Sequence, residues 1–263
     1  MVDRARRRLD EALVERGLVE SRSRARALIM AADVLVNGTT ETRAGAAVRA
    51  GDELTIKSPP RFASRGGEKL DHALEHFAID VEGLTAADFG ASTGGFTDCL
   101  LQHGADRVYA IDVGYGQLVT RLREDPRVVV LDRTNVRNLE VLPEPVDLVT
   151  IDVSFIGLHH VLPAARRVLS DGGRILALVK PQFEAGRSEV GRGVVRDPEV
   201  HRKVLHGLFA TAHDLDLGVT GLTPSPLRGP AGNVEFLALL TPRTASISMD
   251  EVVERAINEA PSA

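Results

Sequence analysis

A repeated strand-like rhythm in the middle and later chain most constrains its fold. Residues 86–89 run into Gly90, 107–111 into Asp112, 128–131 into Asp132, 146–151 into Asp152, and 175–179 into Lys180. Each run is apolar, short and rich in Val, Ile, Leu or Ala, which reads as a buried strand. Stretches with helical spacing separate most of them, at 96–102, 118–124, 159–169 and 201–215. Residues 219–222 and 234–240 add two more strand-like runs. Strands alternating with helices predict a doubly wound α/β sheet. Ligands of such sheets bind at the carboxyl ends of the strands, where these polar residues lie.

The first sixty or so residues lack that rhythm. Leu9, Ala12, Leu13 and Arg16 follow helical spacing, and Gly17 ends the helix. Ser21 is placed to cap a second helix, with Ala25, Leu28 and Ile29 inward and Arg22, Arg24 and Arg26 outward. Residues 34–36 read as a strand, Asn37-Gly38 as a tight turn and 52–56 as a closing strand. The expected division is a small α+β module over 1–57, a linker over 58–65 around Ser58-Pro59-Pro60, and the large domain over 66–263.

Charge follows the same division. The whole chain carries -5, yet residues 1–65 hold 13 Arg and Lys against 9 Asp and Glu. The acidic total therefore conceals a basic start. Arg4, Arg6, Arg7, Arg8, Arg22 and Arg24 are candidate phosphate contacts, because arginine forks match phosphate geometry. Arg65 is a further candidate, next to the large domain. No aromatic residue precedes Phe62, which favours reading of phosphates and RNA shape over base stacking.

With 43% hydrophobic residues among 263, the chain has the composition of a globular protein. No apolar run approaches the roughly 18–20 residues of a membrane span, and no apolar signal region follows Met1. One cysteine excludes an intrachain disulfide and a cysteine-rich zinc site. The expectation is a cytoplasmic, monomeric protein without membrane or metal partners.

The glycine loop Gly90-Ala91-Ser92-Thr93-Gly94-Gly95, followed by Phe96, lacks the G-x-G-x-x-G spacing that admits a pyrophosphate. It also lacks the Lys-Ser/Thr ending of a P-loop. It suits a ligand with an adenosine but no phosphates, and S-adenosyl-L-methionine is such a ligand. Asp112 is placed to accept the ribose hydroxyls and Asp132 the adenine amine, with Asp88 in register on the first strand.

Asp152-Val153-Ser154-Phe155 stands where enzymes methylating base amines carry an Asn/Asp-Pro-Pro-aromatic segment, which disfavours nitrogen as the acceptor. Cys99, the only thiol, falls in the helix after the glycine loop and reads as packing, which disfavours ring-carbon methylation. Oxygen remains. A ribose hydroxyl must lose its proton as it is methylated, and a lysine of lowered pKa can accept it.

Two resemblances sharpen this reading. Arg8-Leu9-Asp10, Ser21-Arg22-Ser23-Arg24-Ala25, residues 34–38 and Gly51-Asp52 resemble an S4-type RNA-binding domain, with Ala32 and Ala44 where Gly and Pro are common. Lys69, Asp152, Lys180 and Glu235, in that order, resemble the tetrad of FtsJ-type ribose 2′-O-methyltransferases. That resemblance implies a Rossmann-like class I methyltransferase domain using S-adenosyl-L-methionine. It makes Lys180 the general base, with Lys69, Asp152 and Glu235 orienting it, and Asp152 also near the cofactor.

The combination resembles the TlyA (hemolysin A) family, with Asp132 where Glu is usual and residues 191–193 one glycine short. It implies ribosomal RNA, in small and in some members large subunits, as partner and cytidine ribose as acceptor. Two other functions compete with this one. A non-enzymatic RNA assembly factor would not need the intact tetrad, and a membrane-active hemolysin would need apolar spans or barrel patterning that is absent from the sequence.

Overall fold

The computed structural model describes residues 6–19, 21–57, 61–186, 189–191, 193–229, 231–243 and 247–260. The chain forms two compact units, Met1–Pro60 and Arg61–Ala263.

In the first unit, β1 (Arg7–Arg8) leads directly into α1 (Leu9–Glu15), and α2 spans Arg22–Met30. The Ser21 hydroxyl accepts the Arg24 N–H and closes the N-terminus of α2. Short strands follow: β2 (Val34–Val36), β3 (Thr39–Thr40), β4 (Ala47–Val48) and β5 (Leu54–Ile56). β2 pairs antiparallel with β3 and β5. Asn37 and Gly38 both take positive φ, the backbone a two-residue hairpin turn of this hand requires. Leu9, Leu13, Ala25, Ile29 and Val34 form the core, as the helical spacing indicated. The pairing of β1 with β4 was not legible, because two-residue strands carry no periodicity.

The second unit opens with α3 (Gly66–His76), β6 (Thr85–Phe89), α4 (Gly95–Gln102), β7 (Arg107–Ile111), α5 (Thr120–Arg123) and β8 (Val128–Leu131). It continues through β9 (Val146–Ile151), α6 (Leu162–Val168), β10 (Leu169–Val179), α7 (Pro181–Glu184) and α8 (Pro198–Asp214). β11 (Leu217–Pro224), β12 (Phe236–Pro242) and α9 (Met249–Glu259) complete it. The sheet order is β11-β12-β10-β9-β6-β7-β8. β10, β9, β6, β7 and β8 run parallel, and β12 pairs antiparallel with both β10 and β11. A hydrophobic layer covers each face of the sheet, as a buried parallel sheet requires.

Two details differ from the sequence expectation. β10 begins at Leu169, which pairs with Val146 before an irregularity that ends at Arg174. Within the expected linker, residues 61–65 belong to the second unit. Phe62 is buried against α3, α4 and neighbouring apolar residues, and the Ala63 N–H donates to Asp98 at 2.7 Å. A proline pair announces a break in structure but does not say how soon packing resumes after it. Among the described residues no helix is long and apolar enough to cross a membrane.

Candidate active site

The crevice forms where the sheet changes winding direction. β6 and β9 are neighbours, and the next strands in sequence lie on opposite sides of them, β7 beyond β6 and β10 beyond β9. Loops leaving the carboxyl ends of β6 and β9 therefore diverge and leave room for a ligand. Gly90 ends β6 with φ +90°, and a Cβ there would stand 2.6 Å from the Asp152 carbonyl oxygen. Only glycine lets the two strand ends approach this closely.

Lys69, Asp152, Lys180 and Glu235 all line one cavity of about 390 Å³. They form two ion pairs. Lys69 Nζ lies 2.5 Å from Glu235 Oε2, with the two residues 8% and 1% exposed. Lys180 Nζ lies 2.6 Å from Asp152 Oδ1 and donates to Ser154 Oγ at 3.0 Å. Gln182 Nε2 donates to the second Glu235 oxygen at 3.2 Å. Glu235 sits in the loop just before β12, so its side chain faces the crevice and is not fixed by strand alternation. Ser154 and Gln182 were missed from sequence. Each is recognisable only by its distance to a tetrad member.

A second cavity of about 490 Å³ shares Gly90, Ser92, Asp152 and Ser154 with the first. It is walled by Ile111, Asp112, Val113, Gln117, Asn135, Val136, Val153 and Ile156. Both volumes fall in the roughly 300–1,000 Å³ range of small-molecule sites. The Asp112 carboxylate accepts the Ser92 N–H at 2.8 Å and the Gly114 N–H at 2.7 Å. A carboxylate has about four acceptor positions, so two remain for ribose hydroxyls. Carboxylate, loop backbone and apolar wall together fit an adenosine-bearing cofactor.

The other expected cofactor residues divide. Ala91, Thr93, Gly95 and Phe96 line the first cavity, whereas Gly94 lines neither and packs against Leu118 and Leu122. Asp132 also lines neither cavity. Arg123 Nη2 at 2.9 Å and the Gly116 N–H at 3.2 Å both bind its Oδ2, while Asn135 and Val136 line the second cavity. Asp88 lies beneath the crevice, fully buried. Thr97 Oγ1 of α4 and Thr150 Oγ1 of β9 donate to its two oxygens at 2.7 and 3.1 Å.

Burial, reinforced by the Asp152 charge, pushes the Asp88 carboxyl from an ordinary value near 3.8 up to about 7. The folded state thus keeps a proton that the unfolded chain has already released, and stability contributed by this group falls as pH rises through that interval. Asp88→Asn should remove the effect. The difference in melting temperature, variant minus wild type, is expected to grow by several degrees from about pH 5 to about pH 8. A difference independent of pH, measured by scanning calorimetry, would contradict the buried-acid reading.

Cys99 is fully buried, and its thiol is pushed far up by burial. It lies near Asp71 and His103, a trio whose ligand atoms are within 4.8 Å of one another. The Arg61 guanidinium is already paired with Asp71, so a cation beside that carboxylate would face a fixed positive charge.

In the first unit, Arg6, Arg7, Arg8, Arg22 and Arg24 are all exposed. Arg7 pairs with Glu15 at 3.1 Å, while Arg8 and Arg22 converge on Asp10. Arg24 lies on the other side of α2, beside Leu18, Leu28 and Lys57. Arg4 lies outside the described residues. Arg65 belongs to the second unit, exposed at the rim of the tetrad cavity.

Residues 62–241 match the FtsJ-like methyltransferase family and residues 7–54 the S4 domain. The class is therefore an FtsJ-like methyltransferase preceded by an S4 domain. The 16S/23S rRNA (cytidine-2′-O)-methyltransferase TlyA of Mycobacterium tuberculosis is 46% identical over 265 residues, covering 97% of this chain and 99% of that protein. YqxC of Bacillus subtilis is 48% identical over 88% of this chain and 84% of its own. A solved Streptococcus thermophilus structure, hemolysin by name, has a TM-score of 0.74 at 43% identity and covers 98% of each chain. The chain belongs to the TlyA (hemolysin A) family.

Proposed function

We propose that this protein transfers a methyl group from S-adenosylmethionine to the ribose 2′-hydroxyl of cytidine in ribosomal RNA, with 16S RNA as substrate, 23S RNA as a further candidate, and the S4 unit holding the RNA. The observation that carries the reading is the pair of adjoining cavities, with the Lys–Asp–Lys–Glu tetrad lining the one beside the cavity that Asp112 lines. The name of the Mycobacterium tuberculosis relative supports the choice of RNA and of nucleoside.

Bound in the second cavity, the cofactor would supply an electrophilic methyl group on a sulfonium. Asp112 and the glycine loop would hold its adenosine part, and Asp152 lies where the two cavities meet. In the first cavity Lys180, once its ammonium has lost a proton, would accept the 2′-hydroxyl proton as the ribose oxygen bonds to the methyl carbon and the carbon–sulfur bond breaks, its electron pair staying on sulfur. Asp152 and Ser154 fix the Lys180 amine, and the Lys69–Glu235 pair orients the hydroxyl. Phe155 is 90% exposed with φ +65°, next to Ser154, and its ring packs 4.9 Å from Phe183. It offers a face on which a target base can stack.

The test is transfer of labelled methyl groups to isolated ribosomal subunits. Label should be recovered as 2′-O-methylcytidine after digestion. Absence of transfer to either subunit would overturn the proposal.

A further inference from the structure

Asp10 is an acid buried in the module expected to hold phosphates. It is the second residue of α1 and 0% exposed. Three guanidiniums meet on it. Arg8 Nε reaches Oδ1 at 3.0 Å and Arg8 Nη2 reaches Oδ2 at 3.2 Å. Arg22 Nη2 and Arg26 Nε both reach Oδ2, at 3.2 and 3.0 Å. Arg22 and Arg26 stand one turn apart on α2, so they share a face, and Arg8 arrives from β1. Gly45 leaves room for Arg8, since a Cβ there would lie 3.0 Å from Arg8 Nη1.

The carboxylate is hidden while the arginines are not. Their side chains remain 48%, 49% and 53% exposed for Arg8, Arg22 and Arg26. A guanidinium has five N–H donors, and each of these spends only one or two on Asp10. Burial acts against the Asp10 charge, yet the three guanidiniums hold its carboxyl well below the usual range. Arg22 Nη1 also pairs with Glu11 Oε1 at 3.3 Å, so the group presents three cations over two anions, with the remaining donor edges in water. Planar forks of this kind match phosphate oxygens bidentately.

We propose that Asp10 is a positioning residue that gathers Arg8, Arg22 and Arg26 into a grip for a single RNA backbone phosphate. The proposal rests on the reading of the S4 unit as the RNA-holding module. It adds Arg26, which sequence reasoning left out, and removes Arg24, which faces the other way. Without Asp10 the three long side chains would be mobile and would have to be immobilised when RNA binds.

Charge alone makes the opposite forecast, and this allows a test by sign. Removing a negative charge should tighten binding to a polyanion if only net charge matters. Binding of the full-length protein to a 16S ribosomal RNA transcript is measured across a salt series, for the wild type and for Asp10→Asn. The positioning role predicts about tenfold weaker binding and a salt slope shallower by about one phosphate contact. Equal or tighter binding with an unchanged slope would overturn it.

Arg26→Lys keeps the charge and loses the fork, and it decides the matter if Asp10→Asn does not fold. Several-fold weaker binding supports the grip, and wild-type affinity overturns it. Arg24→Lys serves as the comparison, with a smaller loss expected than for Arg26→Lys. A wild-type protein without salt-dependent RNA binding would bring down the reading of the S4 unit together with the inference. A binding wild type with tighter Asp10→Asn would bring down the inference alone.

Discussion

Lys180→Ala is expected to lower methyl transfer by roughly 10²–10⁴-fold, the range general-base catalysis contributes, while S-adenosylmethionine affinity is unchanged. Lys180 is 7% exposed at the end of β10 and touches Asp152 and Ser154. It lines the tetrad cavity but not the cavity assigned to adenosine. Its removal should therefore spare cofactor binding, which calorimetry reads directly. Loss of cofactor binding together with transfer would move Lys180 out of the proton-accepting role. Ser154→Ala should cause a smaller loss in the same direction, because Asp152 still holds the amine.

The second large effect belongs to the Lys69–Glu235 pair. Glu235→Ala leaves the Lys69 ammonium buried without its counter-ion, which costs about 3–5 kcal/mol in comparable broken pairs. The variant should melt well below the wild type and be inactive. Replacing both partners by neutral residues of similar volume, Lys69→Met with Glu235→Gln, removes the stranded charge. Stability should then return largely to the wild-type level, since buried pairs exchanged for neutral groups are often close to neutral in energy. Activity should not return. A stable double variant with full transfer would show that the pair serves folding alone.

Much of this arrangement was legible in the residues themselves. Ser21 capping α2, the Asn37-Gly38 hairpin and the strand ends at Asp112, Asp152 and Lys180 follow from local rules of capping, turn chemistry and period. Asp132 shows where such rules stop. Its place at a strand end indicates a ligand contact, but that Arg123 reaches its Oδ2 from α5 could not be read from spacing. Asp88 shows the same limit, since register puts it on β6 but only packing buries it between Thr97 and Thr150. Ser154 and Gln182 carried no pattern, and for Arg26 helical spacing gave only an outward face. Their importance is a distance to another side chain, and distance across the fold is not written in spacing.

The sequence by itself determined the order of elements, the division into a basic module and an acidic α/β domain, and the four residue types of the tetrad. These are properties of neighbours along the chain, set by apolar period, glycine placement and charge. The tertiary structure alone decided that Lys69 pairs with Glu235, 166 residues away, and Lys180 with Asp152. It also decided that three arginines turn toward one buried aspartate. Buried charges must find partners, and which partner each meets depends on how strands and helices converge, a matter settled only when the sheet is assembled.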